Sequence, residues 1–282
     1  MARTSTKFLI DGATIVITGA ARGMGELYAR RAVAEGAKAV ALWDIDVALA
    51  TTLVRELRSP ACDVRAFAVD LGSPTAIANA ARQTRNQLGS PTVVINNAGI
   101  VRSGQFAGQD PARDIEPTMS INALAPMLVT REFLPDMIAD RSRQHRILNI
   151  ASAAGTLANP NMSVYAASKW ALIGWGESLR LELVRGGNAH VTVTTFCPSF
   201  VSTGMFAGAR GPLLTPIMTP AVATEAAWRG MLSGQPMVLK PWTVKLGMAV
   251  RGVLPTRVWD VVADKVFRVY SSMDHFTGRR DD

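Results

Sequence analysis

The feature that most constrains this chain is an alternation. Apolar runs of strand length at 13–18, 39–43, 64–69 and 92–95 are separated by segments with helical spacing at 23–35, 45–58 and 74–88. Strands joined through helices of this length form βαβ crossovers, and crossovers build a parallel sheet covered by helices on both faces. The pattern continues with a long helical stretch over 111–140, interrupted by Pro117, Pro126 and Pro135, then a strand at 146–150, a helix at 163–185 and a strand at 191–196. Residues 237–240 read as a further edge strand. Between 199 and 224 the chain is rich in Gly, Pro, Thr and Met, which reads as a long loop or lid. Residues 242–270 read as one or two amphipathic helices broken at Pro255. The expectation is one α/β domain over 1–282, a doubly wound parallel sheet of about seven strands. Residues 7–150 would mainly hold a cofactor, and 151–282 would mainly carry catalysis and substrate binding.

A chain of 282 residues can bury the core of one large domain. Two cysteines, Cys62 and Cys197, make no disulfide framework, and the opening residues show no charged-then-apolar signal segment. A reducing, cytoplasmic setting is expected. The formal charge is +8, with 20 Lys+Arg against 16 Asp+Glu in residues 1–200 and 10 against 6 in 201–282. No run of like charge and no aromatic-and-basic interleaving points to nucleic acid. His145, His190 and His275 are scattered, and no metal-ligand spacing is present.

Chemistry first appears between the first strand and the first helix, in Thr18-Gly-Ala-Ala-Arg-Gly-Met-Gly25. A dinucleotide fold needs glycines there. Gly19 would permit the tight turn, Gly23 the approach of backbone to a pyrophosphate, and Gly25 the packing of helix on strand, with Arg22 and Met24 between them. The helix N-terminus adds free N–H groups and a positive dipole end. Asp44 lies nineteen residues after Gly25, at the end of the second strand. A carboxylate there accepts ribose hydroxyls and repels a 2′-phosphate, which favours NAD(H) over NADP(H). Arg22 pulls the other way, because a guanidinium pairs well with phosphate. Asp44 could also cap the following helix. Asp70-Leu71 and Asn96-Asn-Ala-Gly99 close the third and fourth strands, at the sheet edge where ligands bind.

Tyr165 and Lys169 stand four apart in a helical segment, with Ser152 thirteen residues before the tyrosine. Side chains at i and i+4 share a helix face. A neighbouring ammonium favours the phenolate and would lower the tyrosine pKa, so that the phenol can trade a proton with an alcohol or carbonyl.

Together these motifs resemble the short-chain dehydrogenase/reductase family over nearly the whole chain. Thr18-Gly-x-x-x-Gly-x-Gly25, Asn96-Asn-Ala-Gly99, Ser152, Tyr165-x-x-x-Lys169 and Pro198-x-x-Val-x-Thr203 occur in that family's order and spacing. The resemblance implies a Rossmann-type fold with Tyr165 as general acid/base. It makes Lys169 the ligand of the nicotinamide ribose and the group that lowers the tyrosine pKa, and Ser152 the partner of the substrate oxygen. Asn122 matches the helix asparagine that holds a water of the proton relay. Asp70 and Leu71 would flank the adenine, Asn97, Ala98 and Gly99 would line the cofactor, and Pro198, Val201 and Thr203 would meet the nicotinamide carboxamide. Ser199 departs from the family's usual Pro-Gly. Relatives are commonly homodimers or homotetramers built across the helices that contain Asn122 and Tyr165.

Three shorter matches, Leu42-Trp-Asp-Ile45, Leu254-Pro-x-Arg257 and Met273-Asp-His-Phe-Thr-Gly278, are similar to a branch acting on retinol, 17β-hydroxysteroids and other lipophilic alcohols. That branch prefers NAD and often has an N-terminal membrane anchor, which is not read in this sequence. Substrate contacts would come from Ala154, Leu157, Met162, Phe200, Met205 and Phe206, besides Ser152 and Tyr165. These are small, apolar or flexible, as suits a hydrophobic alcohol or ketone. The basic amphipathic stretch at 242–270 could cover the pocket, form a subunit contact or lie on a membrane surface. Competing readings are an NADPH-dependent carbonyl reductase and a catalytically silent dinucleotide sensor.

Overall fold

The structure, a computed structural model, describes residues 8–278. The ends of the single-domain reading, residues 1–7 and 279–282, lie outside them, as does the start of the opening segment. The first half alternates β1 (Thr14–Thr18), α1 (Gly23–Ala34), β2 (Ala39–Asp44), α2 (Val47–Glu56), β3 (Asp63–Ala68), α3 (Pro74–Leu88) and β4 (Val93–Asn96). After the short helix α4 (Glu116–Met119) and the longer α5 (Ala125–Ala139) come β5 (His145–Ile150), α6 (Ser163–Arg185) and β6 (Val191–Pro198). The chain ends with α7 (Pro220–Ser233), β7 (Met237–Lys240), α8 (Trp242–Val253) and α9 (Thr256–Val261). The seven strands form one sheet in the order β3-β2-β1-β4-β5-β6-β7, every neighbouring pair parallel. This is the doubly wound α/β sheet that the alternation predicts.

Burial explains why the strands are apolar throughout. β1, β4 and β5 are buried at every position, because helices cover both faces. On one face the stacked rings of Tyr28 and Trp228 anchor α1 against α7. On the other, Trp43 packs on Phe133, and its indole N–H donates to Thr84 at 3.0 Å. The strand order reverses between β1 and β4, and the carboxyl ends of the strands open there into a crevice.

One expectation is borne out in detail and one is corrected. The stretch 111–140 is helical and irregular at Pro117 and Pro126: helical turns continue from Pro111 to Ala139, with wide π-type turns at Pro111–Ile115 and Ser120–Leu124 preceding α4 and α5. Pro117 and Pro126 have no N–H to continue an i→i−4 ladder, and each follows one of these wider turns. α5 runs on through Pro135, where an interruption was expected. The lid read at 199–224 ends at Thr219, and α7 was not expected. Its signals are local: the Thr219 side chain accepts from the Val222 N–H, Pro220 follows, and Gly234 closes the helix in the left-handed region. Pro255 does separate α8 from α9, and a π-type turn at Val262–Val266 follows. Among the described residues, no helix is long and apolar enough to cross a membrane.

Candidate active site

The crevice at the sheet's carboxyl edge begins with the glycine loop. Gly19 and Gly23 both take φ of +60°, a conformation that suits glycine. A side chain at Gly25 would run into the Gly19 carbonyl and come within 2.8 Å of the Asn97 amide. Asn97 braces the loop in return, donating to the carbonyls of Thr18 at 2.9 Å and Gly19 at 3.0 Å. The Thr18 hydroxyl accepts from the N–H groups of Asn97 and Ala98 at 3.0 and 3.1 Å. The loop is therefore held from below, and the first turn of α1 is left facing the crevice.

Asp44 points its carboxylate into the same crevice. One oxygen accepts from the Ala21 N–H at 2.8 Å and the other from the Asp46 N–H at 3.0 Å. The helix-cap role considered for Asp44 belongs to Asp46, which accepts from the Leu49 N–H at 3.0 Å. Asp46 also pairs with Arg22 at 2.7 Å, so the guanidinium is partly neutralised beside the cleft. The cleft is lined by Gly19, Arg22, Gly23, Met24, Asp44, Asp70, Leu71, Asn97, Ala98, Gly99, Tyr165, Lys169, Pro198, Val201 and Thr203. Gly25 does not line it and acts through packing alone. Motif reading missed Ile45, Val69, Ile100, Ile121, Ile150 and Ala151, which add apolar walls. These aliphatic side chains look like any other strand-end residues in sequence.

Ser152, Tyr165, Lys169 and Asn122 come together beneath this cleft. Ser152 follows β5, and its hydroxyl accepts from the Ala154 N–H at 3.1 Å and hydrogen-bonds Tyr165. Lys169 is buried, and its ammonium donates to the Ile150 carbonyl at 2.9 Å. Asn122 is fully buried; its oxygen accepts from the Ile100 N–H at 2.8 Å, and its amide donates to Ile100 at 2.9 Å and to Ser168 at 3.1 Å. Gly99 fits between Asn122 and Lys169, since a side chain there would crowd the Asn122 oxygen at 3.1 Å.

The electrostatics correct one expectation. Burial pushes the Tyr165 phenol up to about 12, and its hydrogen bond with Ser152 draws it only part of the way back. Burial pulls Lys169 down to about 8, with Cys197 opposing, while burial raises the Cys197 thiol to about 12. Lys169 lies 5.7 Å from the Tyr165 ring centre, yet its charge is committed to a backbone carbonyl. Desolvation therefore outweighs the cation.

A second, apolar chamber of about 890 Å³, part of it open to solvent, adjoins the cleft. Ser152, Ala154, Leu157, Met162, Phe200 and Phe206 line it, and Ser152 and Phe206 face both spaces. Phe206 packs edge-on against Tyr165 at 6.0 Å and against Phe200 at 5.4 Å. Met205 and Tyr165 line the cleft and not this chamber. Met205 packs with the cluster around Tyr165 and lines the cofactor side. Ser199 faces both spaces, its N–H held by the Lys240 carbonyl at 2.8 Å. Sequence reading missed the contribution of Leu214, Trp242, Leu246, Trp259 and Phe267 from the lid and the C-terminal helices. The 242–270 stretch thus covers the pocket.

A family model for short chain dehydrogenases matches residues 13–212, which span the glycine loop, Ser152, Tyr165 and the first part of the lid. The chain belongs to the short-chain dehydrogenase family. Estradiol 17-beta-dehydrogenase 11 of Rattus norvegicus is 32% identical over 258 residues, covering 91% of this chain and 85% of that protein. Retinol dehydrogenase 10 of Xenopus tropicalis is 30% identical, over 87% of this chain and 80% of its own length. These likenesses place the short-chain dehydrogenase in the retinol and hydroxysteroid dehydrogenase branch. A Burkholderia phymatum short chain dehydrogenase/reductase solved with NAD shares the fold, with a TM-score of 0.78 at 24% identity over 87% of this chain and 94% of that one. Other solved structures of this fold hold NADP or NADPH.

Proposed function

We propose that this protein is an NAD(H)-dependent oxidoreductase that interconverts a hydrophobic secondary alcohol, bulky, aryl or steroid-like, and its ketone. The observation that carries this is Ser152, which faces both the glycine-cradled cleft and the apolar chamber while bonded to Tyr165. A reacting carbon held at that seam lies between a dinucleotide site and a proton donor.

A nicotinamide dinucleotide in the cleft supplies the hydride acceptor or donor. The chain's own residues orient the substrate and move the proton. The Ser152 hydroxyl hydrogen-bonds the substrate oxygen and holds it toward the Tyr165 phenol. With its pKa at about 12, that phenol is protonated at neutral pH, the form that gives a proton to a nascent alkoxide during ketone reduction. Alcohol oxidation requires the phenolate, the form that a neighbouring Lys169 ammonium favours. Asn122 spends its whole amide on Ile100 and Ser168, so it acts as a positioning residue for the wall behind Lys169. The apolar lining from Leu157, Met162, Phe200 and Trp259 excludes water and suits a lipophilic substrate.

Asp44 supports NAD. Its carboxylate stands in the cleft at the end of β2, while Arg22, which would welcome a 2′-phosphate, is tied to Asp46. We also propose a homodimer or homotetramer built across α4–α6, in line with the exposed Leu124, Leu181 and Val184 there.

The test is turnover of aliphatic, aryl and steroid alcohols with NAD and NADP, in the parent and in Tyr165→Phe. The variant is expected to bind NADH as tightly as the parent and lose roughly 10²–10⁴-fold in turnover. Unchanged turnover removes Tyr165 from the role, and equal or better turnover with NADP(H) makes the protein an NADPH-dependent carbonyl reductase.

A further inference from the structure

The helix that covers the substrate chamber has a second face. Trp242, Leu246, Ala249 and Val253 recur at i, i+4, i+7 and i+11 along α8, so they form one stripe. All four are exposed, Trp242 at 65% and Val253 at 83%. The opposite side of α8 is the anchored one. There Val244 is buried, and Arg251 donates to the Thr156 carbonyl at 3.2 Å and stacks on Trp170 at 4.8 Å. Of the stripe, Trp242 and Leu246 border the chamber, whereas Ala249 and Val253 do not line it.

The lid adds to it. Leu213, Leu214 and Ile217 are exposed by 51%, 65% and 48%. Leu214, Trp242 and Leu246 also line the apolar chamber, so the exposed apolar rim is continuous with the chamber's interior. The hydroxyls of Thr215 on the lid and Thr243 on α8 join at 2.9 Å, which ties the two parts of the rim together. On these segments cations outnumber acids. Arg210, Lys240, Lys245 and Arg257 are exposed and none makes an ion pair among the described residues, against the exposed Asp260 and Asp274. Single exposed apolar residues are ordinary, but a contiguous apolar patch bordered by cations is an interaction surface.

We propose that this rim docks on the surface of an anionic phospholipid bilayer, with the α8 stripe and the lid leucines entering the headgroup region and the flanking cations meeting lipid phosphates. The charge complementarity favours this occupant over a second copy of the chain, whose rim would carry the same positive sign. The docked orientation presents the chamber mouth to the membrane, so a lipophilic alcohol enters without crossing water. Docking stands on the exposed stripe and its charge. Only the reading of the mouth as a substrate doorway rests on the proposed alcohol–ketone chemistry.

The experiment is co-sedimentation of the full chain with phosphatidylcholine vesicles, with and without phosphatidylglycerol, beside an Ala249→Glu/Val253→Glu variant. Neither substituted residue lines the chamber or the cleft, so turnover of a short water-soluble secondary alcohol is kept as a folding and activity control. The parent is expected to sediment with the anionic vesicles and to be released by high salt. The variant is expected to bind at least ten-fold more weakly with unchanged turnover of the soluble alcohol. Absence of vesicle binding by the parent, or equal binding by the variant, overturns the proposal. So does binding to neutral and anionic vesicles alike, or a variant that changes sedimentation in vesicle-free buffer because a second copy covers the rim. A chain that binds vesicles but turns over no alcohol would sink the enzymatic reading and leave the docking surface standing.

Discussion

Lys169 shows how one side chain can be costly and retained. Its folded pKa, about 8, lies below the ordinary lysine value of 10.5. Between those values the unfolded chain holds more protons than the folded one, so stability rises with pH across that window. Below pH 8 the buried cation exerts its full destabilising effect. Tyr165 has the opposite sign: its pKa moves from 10.0 to about 12, so its effect appears as stability lost when pH rises through that range. Lys169→Met is expected to melt at a higher temperature than the parent at pH 7, to lose the rise in stability above pH 8, and to lose turnover. The substitution forfeits one hydrogen bond to Ile150, worth about 1 kcal/mol, against a larger relief of desolvation. Calorimetry from pH 7 to 10 checks this, and a variant less stable than the parent at pH 7 refutes it. The identities of Ser152, Tyr165 and Lys169 were legible because they stand at fixed intervals. Their electrostatics were not, because a pKa depends on how much water remains, and water is excluded by residues far away in sequence.

At the scale of elements, the turn between β1 and α1 is the tightest point of the cofactor cleft. A Cβ at Gly25 has nowhere to go, whereas one at Gly174, in the middle of α6, meets nothing within 4 Å. Gly25→Ala is therefore expected to cost about 1–3 kcal/mol and to abolish tight NADH binding. Gly174→Ala is expected to add roughly 0.5–1 kcal/mol through helix propensity and leave NADH binding intact. Paired chemical denaturation and NADH fluorescence titrations decide both. Most elements could be read from periodicity, since buried parallel strands are apolar runs of characteristic length. Pro117 and Pro126 were legible as interruptions, because a residue without an N–H breaks the regular ladder wherever it falls. One element was misread for an identifiable reason: α7 was absorbed into a loop because its Gly-, Thr- and Pro-rich lead-in masked the Thr219 cap.

For the whole molecule, assembly is the open quantity that a direct measurement answers. Leu124, Leu181 and Val184 remain exposed by 47%, 49% and 55% on the helices that carry or follow Asn122 and Tyr165. Burial of these residues between copies predicts a dimer or tetramer in sedimentation velocity at micromolar concentration, and Leu181→Glu/Val184→Glu is expected to dissociate it. A parent that sediments as a monomer removes the assembly proposal without touching the site. The sequence by itself determined the sheet, the glycine loop, the carboxylate at the end of β2 and the Ser–Tyr–Lys constellation. Each of these depends on local spacing or on a backbone conformation that few residues tolerate. Only the tertiary structure decided that Arg22 is tied to Asp46, that Met205 faces the cofactor cleft, and that Trp242, Leu246 and Leu214 both close the chamber and remain exposed around it. Those facts arise from contacts between segments distant in the chain, where any of several apolar residues could have served and no local pattern selects which one does.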